Sequence, residues 1–194
     1  MAVLADGTAR STMDDPLRAH TPRELAFFLE VVPCARCGRG PLEVGERRGG
    51  GVPHPGEPEA IRTRCHSCKA QRTFHVEWTD ASPDQPSEIV DLAQWVGLYF
   101  QYADRMDKAP APADARDAAT RAAACLAEAL KFYGDDEMPP ESAFWADPSR
   151  EAFDSNPAMF ARTHLRELRA MLPVAGAAAE RPGHNRKTWW KLWR

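Results

Sequence analysis

Four of the five cysteines in the 194-residue chain fall into two pairs, Cys34-Ala-Arg-Cys37 and Cys65-His-Ser-Cys68. Two residues between paired cysteines let both thiolates face one cation from a tight turn. Amides in that turn can donate to the sulfurs and offset their charge. Two such turns bring together four sulfurs, a donor set that closes a tetrahedral site around zinc. Gly38, directly after the first pair, suits the backbone turn that follows. Lys69 stands in the equivalent place after the second pair and is a residue type less suited to it. The chemistry expected is one structural zinc ion held by Cys34, Cys37, Cys65 and Cys68.

Other uses of these thiols fit less well. A sulfur-only donor set also accepts iron, so the spacing favours zinc but leaves a rubredoxin-like iron site open. A dithiol redox pair wants a βαβ setting, which the flanking pattern does not give. Haem attachment needs a histidine directly after a cysteine pair, where Gly38 and Lys69 stand instead. Disulfides need an oxidising compartment, and the N-terminal MAVLADGTARSTMDDP lacks the basic-then-apolar pattern of a signal peptide. A reducing, cytoplasmic setting is therefore expected. A catalytic zinc keeps one position open for water and takes three protein ligands. Four thiolates leave none open, so no catalysis is expected at the metal. His54 and His66 are near enough in sequence to exchange as ligands, although His66 is expected to be solvated and His54 to be a loop residue. Over residues 33–78 the pattern resembles zinc ribbons, a fold and metal class found in transcription factors, ribosomal proteins and enzyme subunits. That resemblance implies a ligand role for the four cysteines and no single function.

The elements that would position the cysteines can be read from their flanks. Thr21-Pro22-Arg23-Glu24 combines a capping residue, a proline suited to the first helical position and a glutamate placed to reach back to the Thr21 amide. Leu25, Phe28, Leu29 and Val32 follow at helical spacing until Pro33 stops the helix before the first pair. Leu42 and Val44 alternate after that pair. Ile61, Thr63 and Cys65 alternate toward the second, and Phe74, Val76 and Trp78 share one face of a strand beyond it, opposite Thr73, His75 and Glu77. Glycine and proline between Glu46 and Pro58 mark a loop.

Beyond residue 86 the pattern turns helical. Leu92, Ala93, Val96, Tyr99, Phe100, Ala103 and Met106 keep a 3.6-residue period. Residues 109–113, alternating Ala and Pro, read as a stiff connector. Asp114 is the expected cap of a second helix running toward Gly134 with an alanine-rich inner stripe. A short helix is expected around Glu141–Trp145. A last one opens at Ser155-Asn156-Pro157 and carries Phe160, Leu165, Leu168 and Leu172. Asp135, Asp136 and Glu137 read as a solvated acidic turn, and Cys125 as a small buried residue. The fold class expected is α+β: a disordered lead-in over 1–20, a helix plus zinc ribbon over 21–80, an acidic helical bundle over 86–172 and a flexible tail over 173–194.

Charge is unevenly spread. Net charge is −3, yet residues 1–80 carry 11 basic and 11 acidic side chains, residues 81–172 carry 9 and 16, and residues 173–194 carry 5 and 1. Within 34–78 there are 8 basic and 5 acidic side chains, and a four-thiolate zinc centre subtracts two more charges. Binding to nucleic acid through Arg62, Arg64, Lys69 and Arg72 is possible on that balance but disfavoured, since such affinity needs several concentrated phosphate contacts. No run of about 18 apolar residues exists to span a membrane. The tail RPGHNRKTWWKLWR concentrates Arg186, Lys187, Trp189, Trp190, Lys191 and Trp193, an amphipathic anchor if helical. It suits a groove on another protein, an anionic membrane surface or the chain's own acidic helices, and a protein groove is the favoured intermolecular partner. No phosphate loop, two-histidine zinc motif or nucleophile elbow is present. The functional expectation is an adaptor or regulatory protein rather than an enzyme, with a nucleic-acid-associated regulator second and an enzyme using the helical part third.

Overall fold

The computed structural model describes residues 15–45, 58–80, 82 and 84–173. The chain divides into two compact units, Met1–Ala81 and Ser82–Arg194. The architecture is mixed: among the described residues, a four-stranded sheet and one helix lie in the first unit and four helices in the second. No helix among them is long and apolar enough to cross a membrane. The loop at 46–57, with His54, and the tail with Arg186, Lys187, Trp189, Trp190, Lys191 and Trp193 lie outside the described residues.

In the first unit, helix α1 spans Pro22–Val31. Thr21 caps it, its hydroxyl accepting from the Glu24 amide at 3.1 Å. The other half of the expected capping box is displaced by one residue. The Glu24 carboxylate accepts from the His20 amide at 2.6 Å rather than from Thr21. The chain leaves a strand just before His20, which brings that N–H over the first turn of the helix. Leu25, Phe27, Phe28 and Leu29 are buried. Val32 ends the helix in extended conformation, its N–H bonded to Phe28 O at 2.9 Å, as the residue before a proline prefers.

The sheet contains β1 (Leu17–Ala19), β2 (Leu42–Val44), β3 (Pro58–Cys65) and β4 (Gln71–Trp78) in the order β1-β4-β3-β2. The last two form an antiparallel pair with Ile61 opposite Phe74 and Thr63 opposite Arg72. Their inner positions alternate as the sequence suggests: Ile61, Thr63, Cys65, Phe74, Val76 and Trp78 are all buried. The Thr63 hydroxyl donates to Arg72 O at 3.0 Å, so this buried polar group is satisfied. Phe28 of α1 meets Phe74 edge-on at 5.7 Å, which places the helix against that face. Val44, on the same side as Leu42, is 46% exposed at the end of its short strand.

β1 places Leu17–Ala19 in a strand, within the stretch 1–20 read from the sequence as a disordered lead-in. It pairs in parallel with β4, Leu17 opposite Val76 and Ala19 opposite Trp78, and Ala19 is fully buried. Three residues are too few to show alternation, and the partner strand is distant in sequence, so no local pattern announces it.

In the second unit, α2 spans Leu92–Lys108 and opens with a complete capping box between Asp91 and Gln94. Its burial is wider than one stripe: Trp95, Leu98 and Tyr102 are buried along with the expected residues, whereas Phe100 is half-buried. Helix α3 spans Pro112–Ala129 and continues into a 3-10 turn at Leu130–Phe132. It begins two residues before Asp114, because Pro112 takes the first turn and Ala111 is the cap, with no side-chain bond. Ala118, Ala119, Ala122 and Ala129 are buried beside Cys125 and Leu126, and small side chains there let helix backbones approach closely. The expected short helix is a 3-10 turn at Glu141–Ala143.

Helix α4 (Asp147–Ser155) has no counterpart in the sequence reading. The expected last helix is two pieces, a 3-10 turn at Pro157–Phe160 and α5 (Arg162–Ala170), broken at the extended Ala161. Phe144, Phe153 and Phe160 form an aromatic cluster with centroids 4.6 to 5.8 Å apart, and the Tyr133 hydroxyl donates to Phe160 O. Packing of that cluster fixes the break.

Candidate metal centre

The two cysteine pairs sit in matching turns. The first lies between α1 and β2; the second joins β3 to β4, with Cys65 the last residue of β3. In the first, Cys34 N donates to Arg39 O at 2.9 Å and Gly38 N to Cys34 O at 2.8 Å. In the second, Cys65 N donates to Ala70 O at 2.8 Å and Lys69 N to Cys65 O at 3.0 Å. The same two bonds recur at the same offsets, so the two turns are copies of one knuckle. His66 N, bonded to Pro41 O at 3.0 Å, ties the second knuckle to the segment leaving the first.

Lys69 resolves the doubt about the second knuckle. It takes the left-handed backbone at φ 61°, beside Gly38 at φ 67°, and its ammonium donates to His66 O at 2.7 Å. The bonding of the knuckle therefore imposes a conformation that a lysine does not favour.

The four sulfurs lie within 4.8 Å of one another, with Cys34–Cys68 at 3.6 Å and Cys37–Cys65 at 3.8 Å. Zinc–sulfur bonds of about 2.3 Å in a tetrahedral site put the sulfurs about 3.8 Å apart. The residues therefore fit one tetrahedral ion, and none of the four is in a disulfide. Cys34 and Cys65 are buried and Cys37 and Cys68 half-buried.

Backbone amides prepare the sulfurs for charge. The amides of Arg36 and then Cys37 hold the Cys34 thiol down at about 6, and those of Cys68 and Ser67 lower Cys65. The donors stand two and three residues after the first cysteine in both knuckles. At Cys37 the Arg39 amide also works to lower the thiol, but desolvation and the three neighbouring sulfurs outweigh it and hold it up at about 11. Sulfurs packed this closely cannot all carry charge without a cation between them.

His66 is not a fifth donor. Its Nδ1 lies 2.7 Å from Glu43 Oε1 on the exposed surface, a contact from the second knuckle to β2 that the sequence reading did not anticipate. Cys125, buried in α3, is not one of the sulfur group.

The chain matches no protein-family model, no curated protein and no solved structure. What it can do is therefore argued from these residues.

In the helical unit, the acidic turn read as solvated includes one residue with a defined role. Both Glu137 oxygens are engaged by Thr163, from its amide and its hydroxyl, each at 2.9 Å, and Glu137 O accepts from the Arg162 amide at 2.8 Å. Those bonds, led by the Thr163 amide, hold the Glu137 carboxyl below its ordinary range. Glu137 is thus the cap of α5, brought from outside the helix. Asp91 was also missed, although an aspartate three residues before Gln94 is a capping pattern. Its Oδ1 accepts from the Gln94 amide at 2.9 Å and its Oδ2 faces the Ala146 amide, at the start of α4, at 3.3 Å. Burial raises its carboxyl above the ordinary range against the pull of Ser149 and these amides.

Proposed function

We propose that this chain is a zinc-stabilised adaptor or regulatory protein of the cytoplasm that binds another protein, with its first unit a zinc ribbon. The supporting observation is the closed set of four sulfurs. An ion held by Cys34, Cys37, Cys65 and Cys68 has four protein ligands and no position for water or substrate, so its contribution is to folding. A unit with so small a core needs such a staple to present a fixed surface. The Trp-rich tail, with Arg186, Lys187, Trp189, Trp190, Lys191 and Trp193, is the second element of this reading and would dock on a protein groove.

Metal analysis and partner capture test it together. The reading expects about one zinc per chain and a stoichiometric protein complex that chelation disrupts and removal of residues 184–194 weakens. Iron in place of zinc would replace the metal assignment. A complex indifferent to both treatments would remove the adaptor reading.

A nucleic-acid-associated regulator is the second reading, favoured by one feature. The β3–β4 register puts Arg62 opposite Thr73 and Arg64 opposite Gln71 on the exposed side of the sheet. Affinity for RNA or DNA that falls steeply with salt and is lost on reversing both arginines would promote it over the first.

A further inference from the structure

We propose that the flank of α5 beside Leu130 binds a short acidic segment of a protein partner. The inference rests on the adaptor reading and supplies it with a second contact surface, distinct from the tail.

Arg162, Arg166 and Arg169 follow one another at four and three residues, which aligns them along one side of α5. With Leu130 and Ala170 they line a depression of about 550 Å³. The segment 81–172 carries 9 basic side chains against 16 acidic, yet three of the nine stand in this one row. Among the described residues none of the three is in an ion pair. Glu137 is near enough to attract Arg162 and Arg166, but its two oxygens are hydrogen-bonded by Thr163 and it forms an ion pair with neither arginine among the described residues. Like charges at these spacings cost a helix a few tenths of a kcal/mol per pair, a cost that Glu137 and the place of Arg169 in the last turn of α5 offset only in part.

Its shape selects the ligand. From Arg162 to Arg169 the helix rises about 10 Å, giving a line of guanidinium forks rather than a ring around one point. A line suits successive carboxylates along a peptide, each able to accept two parallel N–H bonds; a single phosphate would meet one fork. The N-terminus of α5, where an isolated anion would otherwise sit, is occupied by Glu137. Leu130 and Ala170 add apolar floor for a side chain between the acids. A long polyanion such as nucleic acid would meet the acidic remainder of the unit.

The test is fluorescence anisotropy on the zinc-loaded full chain with a labelled peptide of glutamate pairs separated by single leucines. Inorganic phosphate and a single-stranded oligonucleotide serve as competitors. Saturable binding that weakens with salt and falls at least about tenfold in Arg166→Glu/Arg169→Glu is expected. The Arg166→Gln/Arg169→Gln variant, which removes both charges without reversing them and is checked for unchanged helix content by circular dichroism, is expected to weaken binding in the same direction. No saturable binding, binding unchanged in both variants, or stronger competition by phosphate or oligonucleotide than by unlabelled peptide would overturn the proposal. If the peptide fails while the full chain still captures a metal-dependent partner, this inference falls and the adaptor reading stands. If the peptide binds through the arginines but no metal-dependent partner exists, the adaptor reading falls alone.

Discussion

Gly38 and Lys69 occupy the same place in the two knuckles and share the left-handed backbone, but only one of them is a residue that tolerates it freely. A side chain in that region costs about 1 kcal/mol or more. Lys69→Gly is therefore expected to stabilise the metal-loaded first unit by about 1 kcal/mol in chemical denaturation. Gly38→Ala is expected to destabilise it by a similar amount, since a Cβ there meets nothing within 4 Å and the backbone alone is strained. Equal and unchanged stabilities in both variants would mean the knuckles do not hold these angles in solution.

Removing a sulfur should act on metal and first unit together. Cys65→Ser is expected to abolish stoichiometric zinc and to collapse hydrogen-exchange protection over β2, β3 and β4, because structural zinc supplies on the order of 10 kcal/mol of folding free energy. Cys125→Ser, outside the sulfur group, should leave the metal content unchanged. Zinc retained at full occupancy in Cys65→Ser would defeat the four-sulfur assignment.

The gathering of Cys34, Cys37, Cys65 and Cys68 was legible in the sequence because paired cysteines leave a local signature that needs no tertiary information. The inner faces of β3 and β4 were legible for a similar reason, since alternation over eight residues is a strong pattern. What escaped depended on partners far along the chain. β1 is three residues long and has meaning only beside β4. Asp135, Asp136 and Glu137 look alike in sequence, and only the arrival of Thr163 distinguishes the last. In α2, Trp95, Leu98 and Tyr102 fall off the single stripe that a surface helix shows, because the helix is covered on more than one side.

Asp91 has its two oxygens directed at the amide-bearing ends of two helices. Asp91→Ala is expected to cost about 2 kcal/mol, roughly one cap for each helix, measured by urea denaturation of the second unit. Asp91→Asn keeps one acceptor and should cost less. Burial raises this carboxyl above its ordinary value of 3.8, so the part of its stabilisation linked to protonation is full below that value and is lost as pH rises through the folded value. The parent should therefore lose stability relative to Asp91→Asn as pH climbs out of the acid range.

Glu137 titrates with the opposite sign. Its folded value lies below the ordinary 4.5, so its stabilisation is present above that pH and is lost as pH falls through the folded value. Glu137→Gln should be less stable than the parent at neutral pH, and the gap should close in strong acid. A gap that stays constant with pH would mean the carboxylate does not cap α5.

The short β1 has a consequence for association. By pairing with Val76, Glu77 and Trp78, it occupies backbone donors and acceptors on that side of β4, groups that would otherwise template a strand from another molecule. A chain started at Thr21 would leave this edge bare while keeping all four clustered cysteines. Light scattering of that shortened chain should show self-association that grows with concentration, where the parent stays monodisperse. On that outcome, those few residues would count as a stopper against unwanted sheet extension.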